Sequence, residues 1–388
     1  MFWLTLISTI ASLASQSQRA YGFEIAPTPE TDRLNANALK NFLKYATERV
    51  ANGTQTQCNL GKVGYRREWT SLSIKERIEF TDSVECLMSK PSIHDPTIVP
   101  GAKSRYDDFI VPHMNQTNSV HSSTNFLSWH RYLIWAFEQA LRSECGYTGY
   151  LPYWNWAKYA HDPVNSPLFD GSAGSIGSNG IYEERNCTVV DGPVCVPPGE
   201  GGGCVRSGPF SNTTVNLGPI SNFAIAYPDA KTLFRHNPRC LKRDVITEVS
   251  SRWTTEQNIT GTLSLPTFAE FQSNLTGDVL NGQWGVHTAG HFVLMGDPGT
   301  DVYVAPADPA FYLHHAQVDR VWWIYQNQDP AARTNQIAGT ITPNNTPPSR
   351  NGTIDDIIDL GAVGEPLSLL EMMSTAGLDQ GPLCYVYA

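Results

Sequence analysis

The sequence predicts a mainly α-helical protein with long irregular connections and a few short strands. Three observations support this fold class: several segments carry helical signals, strand-like patterns are scarce, and one long region is rich in Gly, Pro, Ser and Asn. The chain has 388 residues, 41% of them hydrophobic, which is enough to bury a full core in one large domain or two modest ones. We predict a single domain over residues 21–388.

Five segments are predicted to be helical. The first is "NALKNFLKYATERV" at 37–50, and the second runs over 73–88 and opens with Ser73 and Glu76, a capping-box pattern. A third helix is expected from about Asn125 to Arg142, and a short fourth over 284–295. The fifth starts at Asp308, which can cap it, with Pro309 in its first turn. The best strand signals are "VYVAP" at 302–306 and "LCYVYA" at 383–388.

Composition limits the possible partners and the compartment. The net charge is −10 and Lys and Arg are scattered, which disfavours nucleic acid or an anionic membrane surface as a partner. The start, "MFWLTLISTIASLA", is too short to span a bilayer and is typical of a secretory signal over 1–20, although no Lys or Arg precedes it. No later stretch is apolar enough for a membrane helix, so we expect a soluble, secreted protein.

The cysteines and glycan acceptor motifs agree with secretion. The eight cysteines lack the C-x-x-C spacing of a zinc site, so disulfides are expected, some of them within the Gly- and Pro-rich insertion at 162–222. A structureless loop of that length is uncommon unless it is tied or functional. Acceptor motifs for N-linked glycans occur at Asn52, Asn115, Asn186, Asn212, Asn258, Asn274, Asn344 and Asn351.

Histidines occupy positions that should be apolar. His130 lies on the apolar stripe of the third predicted helix, and His287 and His291 are four residues apart, so their imidazoles share one helix face. Two triplets emerge: His113, His121 and His130, and then His287, His291 and either His314 or His315. A metal ion would remove the cost of burying these imidazoles without a partner.

A simpler interpretation competes with this one. A single histidine on an apolar stripe is more often a core residue bonded to a carbonyl than a metal ligand. Without the Glu of HExxH, a metalloprotease is disfavoured. Two triplets together nevertheless favour metal ligation, whereas His94, His161 and His236 lie in polar loops and are predicted to be surface residues.

The all-nitrogen donor set restricts the metal. Three imidazoles suit zinc or copper, while calcium and magnesium prefer carboxylate oxygens. One triplet would be compatible with a catalytic zinc and its bound water. Two triplets without a bridging carboxylate fit a copper pair that reacts with dioxygen better than they fit a di-zinc hydrolase.

Three stretches carry a family resemblance. They are "FLSWHRYLIWAFEQALRSECGYTGYLPYWNW" around His130, "HTAGH" at 287–291 and "DPAFYLHHAQVDRVWW" at 308–323. Together they resemble the copper-binding signatures of tyrosinases and catechol oxidases, the type-3 copper proteins, and most nearly the short secreted fungal members. The resemblance extends from about residue 66 to the end of the chain. It implies a four-helix bundle core that holds two copper ions between facing helices, with O₂ as co-substrate.

The resemblance also implies roles for individual residues. It assigns one copper to His113, His121 and His130, and the other to His287, His291 and His315. The preference for His315 over His314 depends on the resemblance, because helical spacing leaves that choice open, and His314 would then lie behind the ligands. Asp319 is expected to fix its helix or to accept a hydrogen bond from an imidazole.

The resemblance also implies substrate contacts and shows where this sequence departs from the family. Phe311 is expected to pack against a substrate ring, and Val302 to act as a gate. Ser119 stands where many fungal members have a Cys that forms a thioether to a copper ligand, so no thioether is expected.

The chain ends one residue after Tyr385-Val386-Tyr387, where long members continue into a shielding domain. We therefore expect an active enzyme, which a many-fold rise in activity after protease or detergent treatment would contradict.

The resemblance implies oxidation of catechols to o-quinones while O₂ is reduced to water. Members that hydroxylate monophenols well have an Asn after the first histidine of the second triplet and an upstream Glu. Here Thr288 follows His287, no Glu is identified upstream, and Asp278 is a candidate stand-in for it. We therefore predict a catechol oxidase acting on small phenolic substrates. The alternatives are a full tyrosinase, an o-aminophenol oxidase, a haemocyanin-like oxygen carrier and a di-zinc hydrolase.

Overall fold

The computed structural model describes residues 23–189, 194–220 and 228–388. The predicted signal segment 1–20 lies outside this part of the chain. The described helices are α1 Pro29–Ala51, α2 Ile74–Ser89, α3 Ile110–Val120, α4 Phe126–Cys145, α5 Ala230–Leu233, α6 Thr247–Trp253, α7 Glu256–Leu263, α8 Phe268–Thr276, α9 Val286–Val293, α10 Ala310–Gln328, α11 Pro330–Arg333 and α12 Leu369–Met373.

All five predicted helices are present, with shifted ends. The first begins earlier than predicted, with Pro29 in its first turn. The second has the predicted capping box, in which the Ser73 hydroxyl accepts from the Glu76 backbone and the Glu76 carboxylate accepts from the Ser73 backbone. The fifth begins at Ala310, so Pro309 is its N-cap and does not lie inside its first turn. The carboxylate of Asp308 still accepts from the Ala310 amide, at 2.9 Å, as a cap should.

Helices α3, α5–α8, α11 and α12 were not predicted. Helix α3 has 11 residues, with Pro112 near its start and polar residues over 115–119, so its apolar pattern is weak. Helices α6–α8 have between 7 and 9 residues each, which is short for a periodic signal. Isolated helices of this length are marginal in water, and tertiary packing supplies most of their stability.

Strands are short and occur in pairs. They are β1 Gly64–Arg66, β2 Gly180–Tyr182, β3 Thr188–Val189, β4 Cys195–Val196, β5 Gly202–Val205, β6 Thr214–Val215, β7 Arg239–Cys240, β8 Asp244–Val245, β9 Gly277–Asp278, β10 Gln283–Trp284, β11 Leu294–Met295, β12 Ile357–Ile358, β13 Leu367–Ser368 and β14 Tyr385–Tyr387. The predicted C-terminal strand is β14, which pairs in parallel with β1 and places Tyr385 opposite Gly64 and Tyr387 opposite Arg66.

The strand predicted at 302–306 is wrong. Residues 302–304 form a turn that leads into a 3₁₀ turn at Ala305–Ala307. Backbone amides of Val304 and Ala305 donate to the Asp301 carbonyl, at 3.0 and 2.9 Å, and this local bonding competes successfully with strand pairing. Tyr303 and Val304 are buried in the core, which explains the strand-like apolar pattern.

Helix α10 forms the centre of the helical core. Every residue from Ala310 to Asn327 is buried, which is the signature of a helix surrounded on all sides. It packs against α1, α4 and α9, while α3 packs against the 3₁₀ turn at Ala305–Ala307. The predicted mainly helical fold with a helical core is therefore confirmed.

Four disulfides tie the irregular regions. Cys58–Cys384 joins the segment after α1 to the segment before β14, and Cys86–Cys145 joins α2 to the end of α4. Cys187–Cys195 and Cys204–Cys240 fasten the 162–222 region, as the prediction of a tied insertion requires. Among the described helices, none is both long and apolar enough to cross a membrane.

Candidate metal centre

The first three predicted ligands form one compact cluster. His113 lies on α3, His121 directly follows α3, and His130 lies on α4. Their ring centroids are 5.1 Å apart for His113–His121, 5.1 Å for His121–His130 and 5.6 Å for His113–His130. His121 adopts an extended backbone with φ −106° and ψ 145°, which ends the helix and turns the chain back toward α4.

A hydrogen bond fixes the protonation of each ring in this cluster. His121 Nδ1 lies 2.9 Å from the Thr117 carbonyl, His130 Nδ1 lies 2.7 Å from the Phe126 carbonyl, and His113 Nδ1 lies 3.0 Å from the Tyr303 carbonyl. A carbonyl can only accept, so each Nδ1 carries the proton and each Nε2 keeps its lone pair. The Nε2 atoms of His113 and His130 are buried without a hydrogen-bond partner. All three rings thus present a metal-binding nitrogen.

The second cluster contains four histidines. His287 and His291 lie on one face of α9, and His314 and His315 are consecutive on α10. In each cluster the potential ligand nitrogens lie within 4.8 Å of one another. His291 Nε2 and His315 Nε2 are 3.2 Å apart. Two imidazole nitrogens at that distance either share one proton or share one cation.

His314 and His315 occupy different environments. The rings of His287, His291 and His315 form a nearly regular triangle, with centroid distances of 4.8, 5.3 and 5.1 Å. With His314 as the third member, the corresponding distances are 4.8, 5.6 and 4.3 Å. His315 also stacks on His130 of the first cluster, at 4.4 Å and 8° between planes, so the two clusters are adjacent.

Glycine at position 290 makes room for His314. A Cβ at this position would lie 2.3 Å from His314 Cε1, so any other residue would displace the ring. The Trp156 ring lies 5.3 Å from His314 on centroids. The pattern "HTAGH" therefore includes a packing requirement as well as two histidines.

Burial keeps all seven imidazoles neutral. It lowers the pKa of His121 and of His291, the latter to about 3, and it lowers the pKa of the other five rings well below the usual value. Both nitrogens of His287 and of His314, and Nδ1 of His315, are buried without a hydrogen-bond partner. An unsatisfied buried polar group costs about 1–3 kcal/mol, which a bound cation would offset. Neutral imidazoles that leave ring nitrogens without a hydrogen-bond partner, in two adjacent triplets, fit two soft or borderline metal ions.

Two other predicted site residues, Phe311 and Thr288, lie beside the histidine clusters. Phe311 is buried between the clusters, with its ring 5.4 Å from His113 and 4.2 Å from His315. Thr288 is 8% exposed beside His287, and Val302 is half-buried. Of the loop histidines, His161 and His236 are exposed, as predicted, and His94 is half-buried.

Asp319 does not accept from an imidazole, so that alternative is wrong. Its carboxylate accepts from Arg66, Arg131, Tyr385 and Tyr387, at 3.3, 2.5, 2.7 and 2.6 Å. These four donors are arginine and tyrosine side chains, so the carboxylate is bonded to groups other than the histidines. Asp278 is exposed on β9 and accepts from Asn281, at 2.7 Å.

Two contributors to the site were missed by sequence reasoning. The Tyr303 carbonyl holds His113, and the Phe126 ring lies 4.7 Å from His287 on centroids, where it joins α4 to α9. Phe126 lies one turn before His130, a spacing visible in the sequence. The Tyr303 contact leaves no sequence signal, because a backbone carbonyl is present at every residue.

Two adjacent histidine triplets held between packed helices fit a dinuclear metal centre of the type found in oxygen-dependent oxidoreductases. Residues 103–328 match the common central domain of tyrosinase. Tyrosinase P from Aspergillus terreus is 36% identical over 332 residues, which cover 83% of this chain and 91% of that protein. The N-acetyl-6-hydroxytryptophan oxidase of Emericella nidulans is 36% identical over 357 residues, covering 87% and 96%. The structure of a variant polyphenol oxidase from Thermothelomyces thermophila superimposes with a TM-score of 0.86 at 38% identity, covering 92% of this chain and 98% of that one.

The chain therefore belongs to the tyrosinase family of polyphenol oxidases. It is an oxidoreductase of a copper-dependent family whose substrates are small phenols. The predicted family relationship is confirmed. The two histidine clusters fit the binuclear copper centre that this family implies.

Proposed function

We propose that this protein is a catechol oxidase that binds two copper ions, one in each histidine cluster. The supporting observation is the pair of similar imidazole triangles, joined by the stacked rings of His130 and His315 at 4.4 Å. When bound, the copper pair supplies the redox chemistry, in which catechols are oxidised to o-quinones and dioxygen is reduced to water.

The protein's own residues orient the imidazoles and exclude water from the site. In the first cluster, the carbonyls of Thr117, Phe126 and Tyr303 hold the rings so that Nε2 faces inward. In the second cluster, we assign His287, His291 and His315 as ligands, since their triangle matches that of the first cluster. His314 packs behind them against Gly290 and Trp156. Phe311 fills the space between the triplets, where it excludes water and offers a ring edge to an aromatic substrate.

Metal analysis of the purified protein tests this proposal directly. We expect two copper ions per chain, and an electron paramagnetic resonance signal from Cu(II) much weaker than that copper content requires, because adjacent Cu(II) ions couple. Catechol turnover without an activator would exclude a pure oxygen carrier. Two zinc ions per chain, with no turnover of catechol, would reject the proposal in favour of a di-zinc hydrolase.

The preference for catechols over monophenols is proposed from Thr288. Its short hydroxyl side chain lies beside His287 and cannot reproduce the geometry of an Asn amide, and Asp278 is exposed and bonded to Asn281. Val302 is proposed as a gate because it is half-buried in the turn that also contacts His113 through Tyr303. Among relatives, names such as tyrosinase and N-acetyl-6-hydroxytryptophan oxidase keep monophenol oxidation as an alternative. Oxidation of o-aminophenols is a further alternative, because an ortho amine can replace a catechol hydroxyl at the copper.

Substituting Thr288→Asn should raise the rate of monophenol turnover relative to that of catechol. The amide adds a donor and an acceptor beside His287, where a water that accepts the phenol proton could be held. The measurement is the ratio of steady-state kcat/KM values for a matched phenol and catechol, with Thr288→Val as the control of similar size. A ratio unchanged in the Asn variant would contradict this role for Thr288.

We also propose that the protein is a secreted glycoprotein. Four disulfides favour an oxidising compartment. Seven of the eight acceptor asparagines are exposed, whereas Asn258 is half-buried, and its side chain accepts from the Thr255 amide at 3.1 Å. Glycopeptide mass spectrometry of the secreted protein should find glycans among the exposed seven, and an entirely unmodified protein would contradict the proposal.

A further inference from the structure

One ring in the first cluster depends on a distant segment of the chain. The Nδ1 acceptors of His121 and His130 are carbonyls four residues earlier in the sequence, so local helical structure supplies them. The acceptor of His113 is Tyr303, 190 residues away. The orientation of His113 is therefore only as secure as the turn that presents the Tyr303 carbonyl.

The side chain of Asp301 holds that turn together. Its Oδ1 accepts from the Tyr303 amide at 2.9 Å, and its Oδ2 accepts from the Ile220 amide in a very short hydrogen bond. Its backbone carbonyl also accepts from Val304 and Ala305. Asp301 is 4% exposed, so these hydrogen bonds are protected from water.

The same turn lies against the helix that carries His113. The 3₁₀ turn at Ala305–Ala307 packs on α3, and Asn118 of α3 donates to the Tyr303 hydroxyl at 2.8 Å. The turn and α3 are joined by these contacts and are far apart along the chain, so a change in the shape of the turn would alter the position of the Tyr303 carbonyl relative to His113. The other two rings of the cluster would keep their carbonyls.

We propose that Asp301 is a positioning residue for the first metal site, acting through the Tyr303 carbonyl on the His113 ring. This inference rests on the proposed function in assuming that His113 is a metal ligand. It assigns a selective effect on one of the two sites to a residue that is far from His113 in the sequence. Partners that orient ligating histidines typically contribute about 10–100-fold to metal affinity.

The test compares copper retention in Asp301→Ala and the parent protein. Copper-loaded protein is exposed to increasing concentrations of a chelator, and copper per chain and the Cu(II) resonance signal are recorded together. We expect Asp301→Ala to lose one copper at a roughly 10–100-fold lower chelator activity while it retains the other. The remaining uncoupled Cu(II) should then give a full one-copper signal, which a general loss of stability would not produce. His113→Ala provides the reference for a protein lacking this ligand.

Two control variants separate an effect on the orientation of His113 from an effect on the stability of the protein. Asp297→Ala removes a carboxylate from the same loop that pairs with Arg239 at 2.7 Å, and it should leave the order of copper loss unchanged. Tyr303→Phe removes the hydroxyl but keeps the carbonyl, and it should retain both copper ions. Should Asp301→Ala fail to fold, Asp301→Asn replaces it. The amide oxygen can still accept from Tyr303, while its NH₂ meets the Ile220 amide, so a smaller selective weakening is expected.

Failure of the positioning role and failure of the proposed function give different experimental results. A parent protein that binds no copper would reject the proposed function itself. A parent that binds two, with an Asp301 variant that retains both as tightly or loses both in parallel, would overturn the positioning role and leave the function intact.

Discussion

Replacing His315 with Gln should remove one copper per chain and lower catechol turnover more than about 100-fold, a larger loss than is typical for residues that only orient ligands. The equivalent change at His314 should retain both copper ions. His315 completes the regular triangle with His287 and His291, and its ring stacks on His130. Copper content by elemental analysis and kcat for a catechol would be measured on both variants.

The neighbouring His314 is a matched control because it has the same chemistry, the same helix and full burial. Both variants remove one buried imidazole, so the loss of stability should be similar. The difference between them then reports ligation. If His314→Gln loses copper and His315→Gln retains it, the third ligand of the second site is His314 and the proposed assignment is wrong.

Substituting Asp319→Ala should lower the free energy of unfolding by about 3–5 kcal/mol, the usual cost of breaking a buried ion pair from one side. The carboxylate pairs with Arg66 at 3.3 Å and Arg131 at 2.5 Å, and all three side chains are at most 3% exposed. Its removal leaves two guanidinium groups short of an anionic partner. Denaturant unfolding followed by tryptophan fluorescence would measure the change.

The same substitution should also weaken the attachment of the C-terminal strand. Both Tyr385 and Tyr387 of β14 donate to the Asp319 carboxylate. Asp356→Ala is the control, since Asp356 pairs with the largely exposed Arg350, and such a surface pair contributes no more than about 1 kcal/mol. A loss in Asp319→Ala as small as that of the control would show that the buried network contributes little to stability.

Elements whose signals lie close together in the sequence were predicted, whereas elements that depend on distant contacts were not. Helix α2, with its capping box, and helix α4, with its long apolar stripe, were predicted within a few residues, because these signals lie within a few turns. Helix α3 and the turn at 302–304 were missed or mispredicted. Their conformation depends on contacts with segments far along the chain, including the hydrogen bond from His113 to Tyr303.

The sequence by itself determined the mainly helical class and the two histidine triplets, since periodicity and residue type are local properties. It also determined the family, through stretches around His130, at 287–291 and at 308–323. Only the tertiary structure decided that the triplets are adjacent, that the ring of His315 stacks on His130, and that Asp319 binds two arginines and two tyrosines. Those arrangements depend on how α4, α9 and α10 pack, and packing brings together side chains whose separation in sequence carries no information about their distance.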